Sequence, residues 1–133
     1  MTTTVLAVSA LRQAHVGWAW VVVVSNAVAG AWALAAHYRR RLRRRELWFL
    51  TAFAEIAVFV QVVLGVALRQ SEHQGRGLEH LQFHMFYGFV AAFTVAIIYS
   101  YRAQLKEHLY MLYGLGGLFL MGLALRAIYI NPI

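Results

Sequence analysis

Four long apolar runs, separated by short polar breaks, dominate the chain. The first covers about 15–37 and includes VGWAWVVVV; the second is ELWFLTAFAEIAVFVQVVLGVAL (46–68). The third is FHMFYGFVAAFTVAIIYSY (83–101) and the fourth LYMLYGLGGLFLMGLALRAIY (109–129). Each is close to the ~20 residues that an α-helix needs to cross ~30 Å of hydrocarbon. Period-two alternation is absent, which argues against a transmembrane barrel. The pattern predicts helices at about 12–38, 46–69, 79–101 and 107–129, forming a single domain over 1–133. Short connections favour an antiparallel up-down four-helix bundle, with helices 1 and 3 diagonal and running in the same direction. The opening MTTTVLAVSALRQAH has no basic n-region, and the long apolar run comes after it. It is therefore read as an interfacial lead-in to helix 1 rather than a signal peptide.

Composition sharpens this into an all-α integral membrane protein. Of the 133 residues, 62% are apolar and only 13% are charged, against about 25% charged in an average soluble domain. Without cysteine, no disulfide framework or thiolate metal site is available. The formal charge of +7 raises the question of nucleic acid, and position answers it. Six of the twelve basic residues fall in the run RRRLRRR (39–45), directly after an apolar segment. That placement is a topology signal, with lipid head groups as a lesser reading. With Arg102 and Lys106 the loops at that end carry eight cations, whereas Arg12, Arg69, Arg76 and Arg126 make four at the other. The basic loop 39–45 is thus expected to be cytoplasmic and both termini outside, in what reads as a bacterial cytoplasmic membrane.

The polar residues that these runs tolerate are the candidate chemistry. His15 at the head of segment 1 and His84 at the head of segment 3 are expected at similar depth on parallel helices. Two neutral imidazoles so placed can ligate one haem iron, with small residues nearby admitting the macrocycle. Gly17 and Gly88 are the candidate small residues, and Arg69 and Arg126 the cations for the propionates. The plain alternative is a pair of histidines at head-group level, and a Gly88 that only lets helices approach. His80 and His84, spaced i, i+4, are a lesser candidate pair for an external zinc or copper ion, with Glu79, His73 or Glu72 beside them. Glu55 is the deepest acid, and must be neutralised, paired or turned into the bundle. Asn26 and Gln61 read as hydrogen-bonding glue between helices, and Gly114, Gly116, Gly117 and Gly122 as a close-packing surface for the bundle or a partner.

The run QVVLGVALR (61–69), a polar loop, and then a helix opening with His84 resemble a repeating unit of the haem A synthase family over 61–88. In that family a helix ending in a Gln-x-x-Leu-Gly-x-x-x-Arg-like pattern precedes a helix whose histidine ligates haem. One four-helix half of such a protein would match this chain in size. The family's glutamate, four residues before a haem histidine, is replaced by His80 ahead of His84 and by Leu11 ahead of His15. A second bundle and a loop cysteine pair are also missing. The resemblance therefore implies a haem-holding bundle and argues against synthase chemistry.

Two functions are consistent with these features. One is a small membrane protein binding a b-type haem between helices 1 and 3 near the outer leaflet, for electron transfer or haem handling. The other is a cofactor-free accessory subunit, joining a larger respiratory or transport complex, or another copy of itself, through helix 4. No enzyme is expected, because no paired carboxylates, nucleophile–base arrangement or phosphate loop is evident, and GLGG (114–117) lies inside an apolar run.

Overall fold

The computed structural model describes the backbone of residues 2–71 and 78–130, and the side chains of 2–69 and 85–130. Four helices make up nearly all of it: α1 (Thr2–Tyr38), α2 (Arg45–Ser71), α3 (Leu78–Tyr101) and α4 (Leu109–Ile130). Short 3₁₀ turns at Arg40–Leu42 and Lys106–His108 lie between α1 and α2 and between α3 and α4. α1 packs against α2 and α4, α3 packs against α4 and much more loosely against α2, and α1 and α3 are diagonal.

α1 begins earlier than the apolar run suggests and reaches 37 residues, about 55 Å at 1.5 Å per residue. The reason is local: between Thr2 and Val16 there is no glycine or proline to end a helix. His15 consequently sits about four turns inside α1 rather than at its start.

Alanines share the middle with Val22, Leu47, Val58, Ile98 and Leu120, while every described phenylalanine faces outward. Ala29, Ala33, Ala36, Ala54 and Ala57 are buried, whereas Phe49, Phe53, Phe59, Phe86, Phe89, Phe93 and Phe119 are exposed. A water-soluble bundle would turn most of these phenyl rings inward, because water penalises their exposure. In lipid the outer surface gains nothing from polarity, and small inner residues let helices approach. Three helical stretches, Thr2–Tyr38, Arg45–Arg69 and Lys106–Ile130, are long and apolar enough to cross a membrane. The shorter apolar stretch Met85–Tyr101 is the part of α3 whose side chains are described.

Different contacts hold each neighbour of α1. Toward α4 the backbones touch: a Cβ added at Gly30 would stand 2.8 Å from the Leu118 nitrogen, and one at Gly114 would stand 2.8 Å from the Leu34 nitrogen. Gly116 faces the Ile98 side chain of α3. Toward α2, polar side chains reach backbone carbonyls across the interface. Trp18 Nε1 donates to the Ala57 carbonyl at 2.9 Å, and Asn26 Nδ2 to the Ala54 carbonyl at 3.3 Å.

The first connection is pinned at several points. Trp32 Nε1 donates to the Leu42 carbonyl at 2.8 Å. Arg43 turns back on α1, its Nε donating to the Ala36 carbonyl at 2.8 Å and its Nη2 to the His37 carbonyl at 2.9 Å. Those carbonyls belong to the last turn of α1, where no intrahelical donor is available, and a cation also suits the negative end of the helix dipole. The same guanidinium lies 4.7 Å over the Tyr110 ring, which ties this turn to α4.

Candidate functional site

At the end of the bundle away from the arginine run, the strongest feature is the seat of His15. The residue is only 6% exposed. Two residues of α2, one turn apart, make the seat. Gln61 Nε2 donates to the His15 carbonyl at 2.8 Å. Gly65 leaves the room that the imidazole fills: a Cβ there would be 3.1 Å from His15 Cε1 and 3.8 Å from both ring nitrogens. The spacing i, i+4 puts Gln61 and Gly65 on one face of α2, so one residue holds the backbone at His15 and the next admits its ring.

Helix register relates this seat to α3. The position of a Cβ on Gly88 is 4.0 Å from Val62 Cγ2. Position 84, four residues earlier on antiparallel α3, therefore falls level with about position 66 of α2. That is one residue from Gly65, and hence at the depth of His15. α4 gives a similar level, since Gly117 meets Gly30 and Gly116 meets Ile98, which brings position 84 opposite 130 and 130 opposite 17–18. His80 and His84 are in the opening turns of α3, but their side chains, like those of Glu79, Glu72 and His73, lie outside the described residues.

The remaining candidates divide. Arg69 stands in the last turn of α2, one turn beyond Gly65. Arg126 is exposed one turn before the end of α4. Gly17 does not border the imidazole, because a Cβ there meets nothing within 4 Å, and Gly88 makes only an ordinary contact with Val62. The glycine that does border it is Gly65. The signal for it lay inside QVVLGVALR, where it follows Gln61 by one helical turn. Glycines of α4 are largely used within the bundle: Gly114 and Gly117 meet α1, Gly116 meets α3, and only Gly122 of this set has no neighbour at its Cβ position.

Asn26 and Gln61 both bridge α1 and α2, as interhelical glue should. Glu55 is half-buried on α2, and the opposite charge acting on it is Arg102, at the arginine-rich end. Among the described residues no three histidines or acids come together to hold a metal ion. A shallow apolar groove lined by Ile56, Phe59, Val60, Val63 and Leu64 lies along α2, with no polar group to orient a ligand.

The structure brings together a histidine buried in a glycine-made niche, the backbone of position 84 at the same depth on the diagonal helix, and an arginine one turn further toward the end. Comparison with family models, curated proteins and solved structures gives no match.

Proposed function

We propose that this chain is a four-span membrane protein that holds a b-type haem between His15 and His84, near the outer leaflet, for electron transfer or haem handling. The observation that carries this reading is the His15 seat. An ionisable side chain buried within a membrane helix marks a functional site by default, and here Gly65 leaves room for the ring while Gln61 holds the backbone beside it. The register that brings position 84 to the same depth supports the second ligand, and Arg69 and Arg126 are the cations for the propionates. When bound, the haem supplies one-electron exchange. The chain's part is to set the ligand depth and to exclude water with the surrounding apolar helices. The likeness of 61–88 to the haem A synthase family is consistent with this role.

Both termini outside and 39–45 in the cytoplasm is the orientation that the distribution of arginine favours. A reporter fused after Arg45 should read cytoplasmic, and one inserted at Gly75 external; the opposite readings would reverse the assignment.

Protein produced with ample haem should show a Soret band and a reduced-minus-oxidised spectrum. His15→Ala and His84→Ala should each abolish the b-type signal, while His80→Ala leaves it intact. Gly65→Leu, which puts a side chain where the ring sits, should act like His15→Ala. Absence of any Soret band would sink the haem reading and leave the accessory-subunit role. In that role a partner docking through helix 4 would have to use its outer face, Leu115, Phe119 and Gly122, because α1 and α3 cover the other glycines. Loss of a bound zinc or copper ion in both His80→Ala and His84→Ala would favour the external metal site instead.

A further inference from the structure

The arginine run is more than a topology signal, because the structure gives its members different tasks. Arg43 is committed to the α1 carbonyls and the Tyr110 ring. Arg44 pairs with Glu46 at 3.3 Å, with both side chains well exposed. Arg39, Arg40, Arg41 and Arg45 are exposed, and no carboxylate pairs with them among the described residues. Arg39, Arg40 and Arg41 belong to a connection that is held rather than loose, with Trp32 donating to the Leu42 carbonyl and Arg43 to carbonyls of α1, and Arg45 opens α2 directly after it. Arg102 and Lys106 are exposed in the other connection. The stacked rings of His37 and His108, 6.3 Å apart, bring the two connections side by side. Only Glu46 and Glu107 offset this charge among the exposed residues there.

A positive surface of this kind, immediately beyond an apolar helix, faces the phosphate plane of the leaflet. Guanidinium groups suit phosphate because they present several donors in a fixed plane. Holding the backbone beforehand reduces what is lost in ordering it on binding. We infer that the 39–45 turn is a binding site for the phosphate head groups of acidic phospholipids in its own leaflet. Arg39, Arg40, Arg41 and Arg45 are the contacting residues, and Arg43 is the residue that positions the turn. The inference is independent of a haem at the opposite end. It requires only that the helices span the bilayer.

Purified protein is reconstituted in phosphatidylcholine vesicles carrying a trace of spin-labelled phosphatidylglycerol or spin-labelled phosphatidylcholine. The relative association of the two labels with the protein is then read. At low salt the acidic lipid should be preferred several-fold, the size expected from a few arginines near a membrane surface. Arg40→Gln with Arg41→Gln should bring the ratio most of the way toward one. Molar salt should do the same to the unaltered protein, because screening shortens the reach of these charges. Since arginine removal can also disturb insertion, Glu46→Gln serves as a second variant of opposite sign. It releases Arg44 and should raise the preference. A ratio of one in the unaltered protein overturns the inference. So does a preference that neither the double variant nor Glu46→Gln changes.

Discussion

α1 meets its two neighbours by different physics. On the α4 side, Gly30, Gly114 and Gly117 bring two backbones so close that a Cβ at any of them would lie 2.8–2.9 Å from a backbone atom. On the α2 side, Trp18 and Asn26 of α1 and Gln61 of α2 each donate one hydrogen bond to a carbonyl of the facing helix. In lipid, helices gain little from hiding apolar surface from one another, so close dispersion contact and hydrogen bonds are the available attractions. The first has no slack, because backbone atoms cannot move aside. The second is graded, because one bond of three can be lost while the others hold. The α4 face should therefore fail abruptly and the α2 face by degrees.

The sharpest way to break this comparison is to add one carbon. Gly30→Ala places a methyl group 2.8 Å from the Leu118 nitrogen and 3.0 Å from the Gly114 carbonyl oxygen. The helices must separate, and the loss should be about 3 kcal/mol or more, at or beyond the upper range for overpacked cores. Gly117→Ala, facing the Gly30 Cα at 2.9 Å, should behave alike. Gly122→Ala is the internal comparison. Nothing lies within 4 Å of its Cβ position, so it should be neutral or stabilising by up to about 1 kcal/mol, the helix preference for alanine. Unfolding by SDS titration in mild detergent reads all three, and equal tolerance of Gly30→Ala and Gly122→Ala would remove the claimed contact.

A smaller effect tests the other face. Asn26→Leu removes the hydrogen bonds to the Ala54 and Val22 carbonyls. It should cost about 0.6–1.7 kcal/mol, from the average to the largest value for polar contacts between membrane helices. The carbonyls left behind keep their own helical donors, so no severe penalty follows. Gln61→Leu should cost less than Asn26→Leu. Gln61 gives one bond across the interface, but its Oε1 is buried without a hydrogen-bond partner, so the substitution also relieves a desolvated oxygen. The same titration should rank Gly30→Ala, Asn26→Leu and Gln61→Leu in that order. A loss at Asn26 as large as that at Gly30 would mean that the α2 face is as brittle as its opposite.

The outline of this architecture is legible from run lengths and connections, whereas the rotation of each helix is not. Apolar stretches of the right length locate α2, α3 and α4 closely, and short connections imply that α1 and α3 are diagonal. The start of α1 escapes because Val5, Leu6 and their neighbours are too mixed to read as a span, yet include nothing that stops a helix. Pairings such as His15 with Gly65 are hidden for a different reason. These helices are apolar nearly all round, so the periodicity that reveals the buried face of a soluble helix is weak. Glycine identity marks a close approach without naming the helix that approaches; hence the glycine that borders the His15 ring is Gly65 of α2 and not Gly17, two residues along the same helix. Within RRRLRRR six like residues cannot be told apart by type. Only the geometry of the turn separates Arg43, bound to α1, from the arginines that project.

The last effect has the opposite sign, and it concerns a polar group of α2. Thr51 is 7% exposed on α2, and its Oγ1 is buried with no hydrogen-bond partner. A threonine in a helix can satisfy its hydroxyl on the carbonyl one turn back, as Thr94 does with the Val90 carbonyl at 2.7 Å. Thr51 makes no such bond, so its oxygen loses solvation without recompense. Thr51→Val keeps the shape and replaces the hydroxyl by methyl, and should stabilise the bundle by about 1 kcal/mol. Thr94→Val, which breaks an existing bond, should be neutral or slightly destabilising. The paired measurement, one threonine on α2 and one on α3, asks whether a polar group in these helices stabilises only where it reaches a carbonyl. If Thr51→Val weakens the protein more than Thr94→Val does, the Thr51 hydroxyl has a partner in the membrane. That outcome would remove the reason for expecting Thr51→Val to stabilise the bundle.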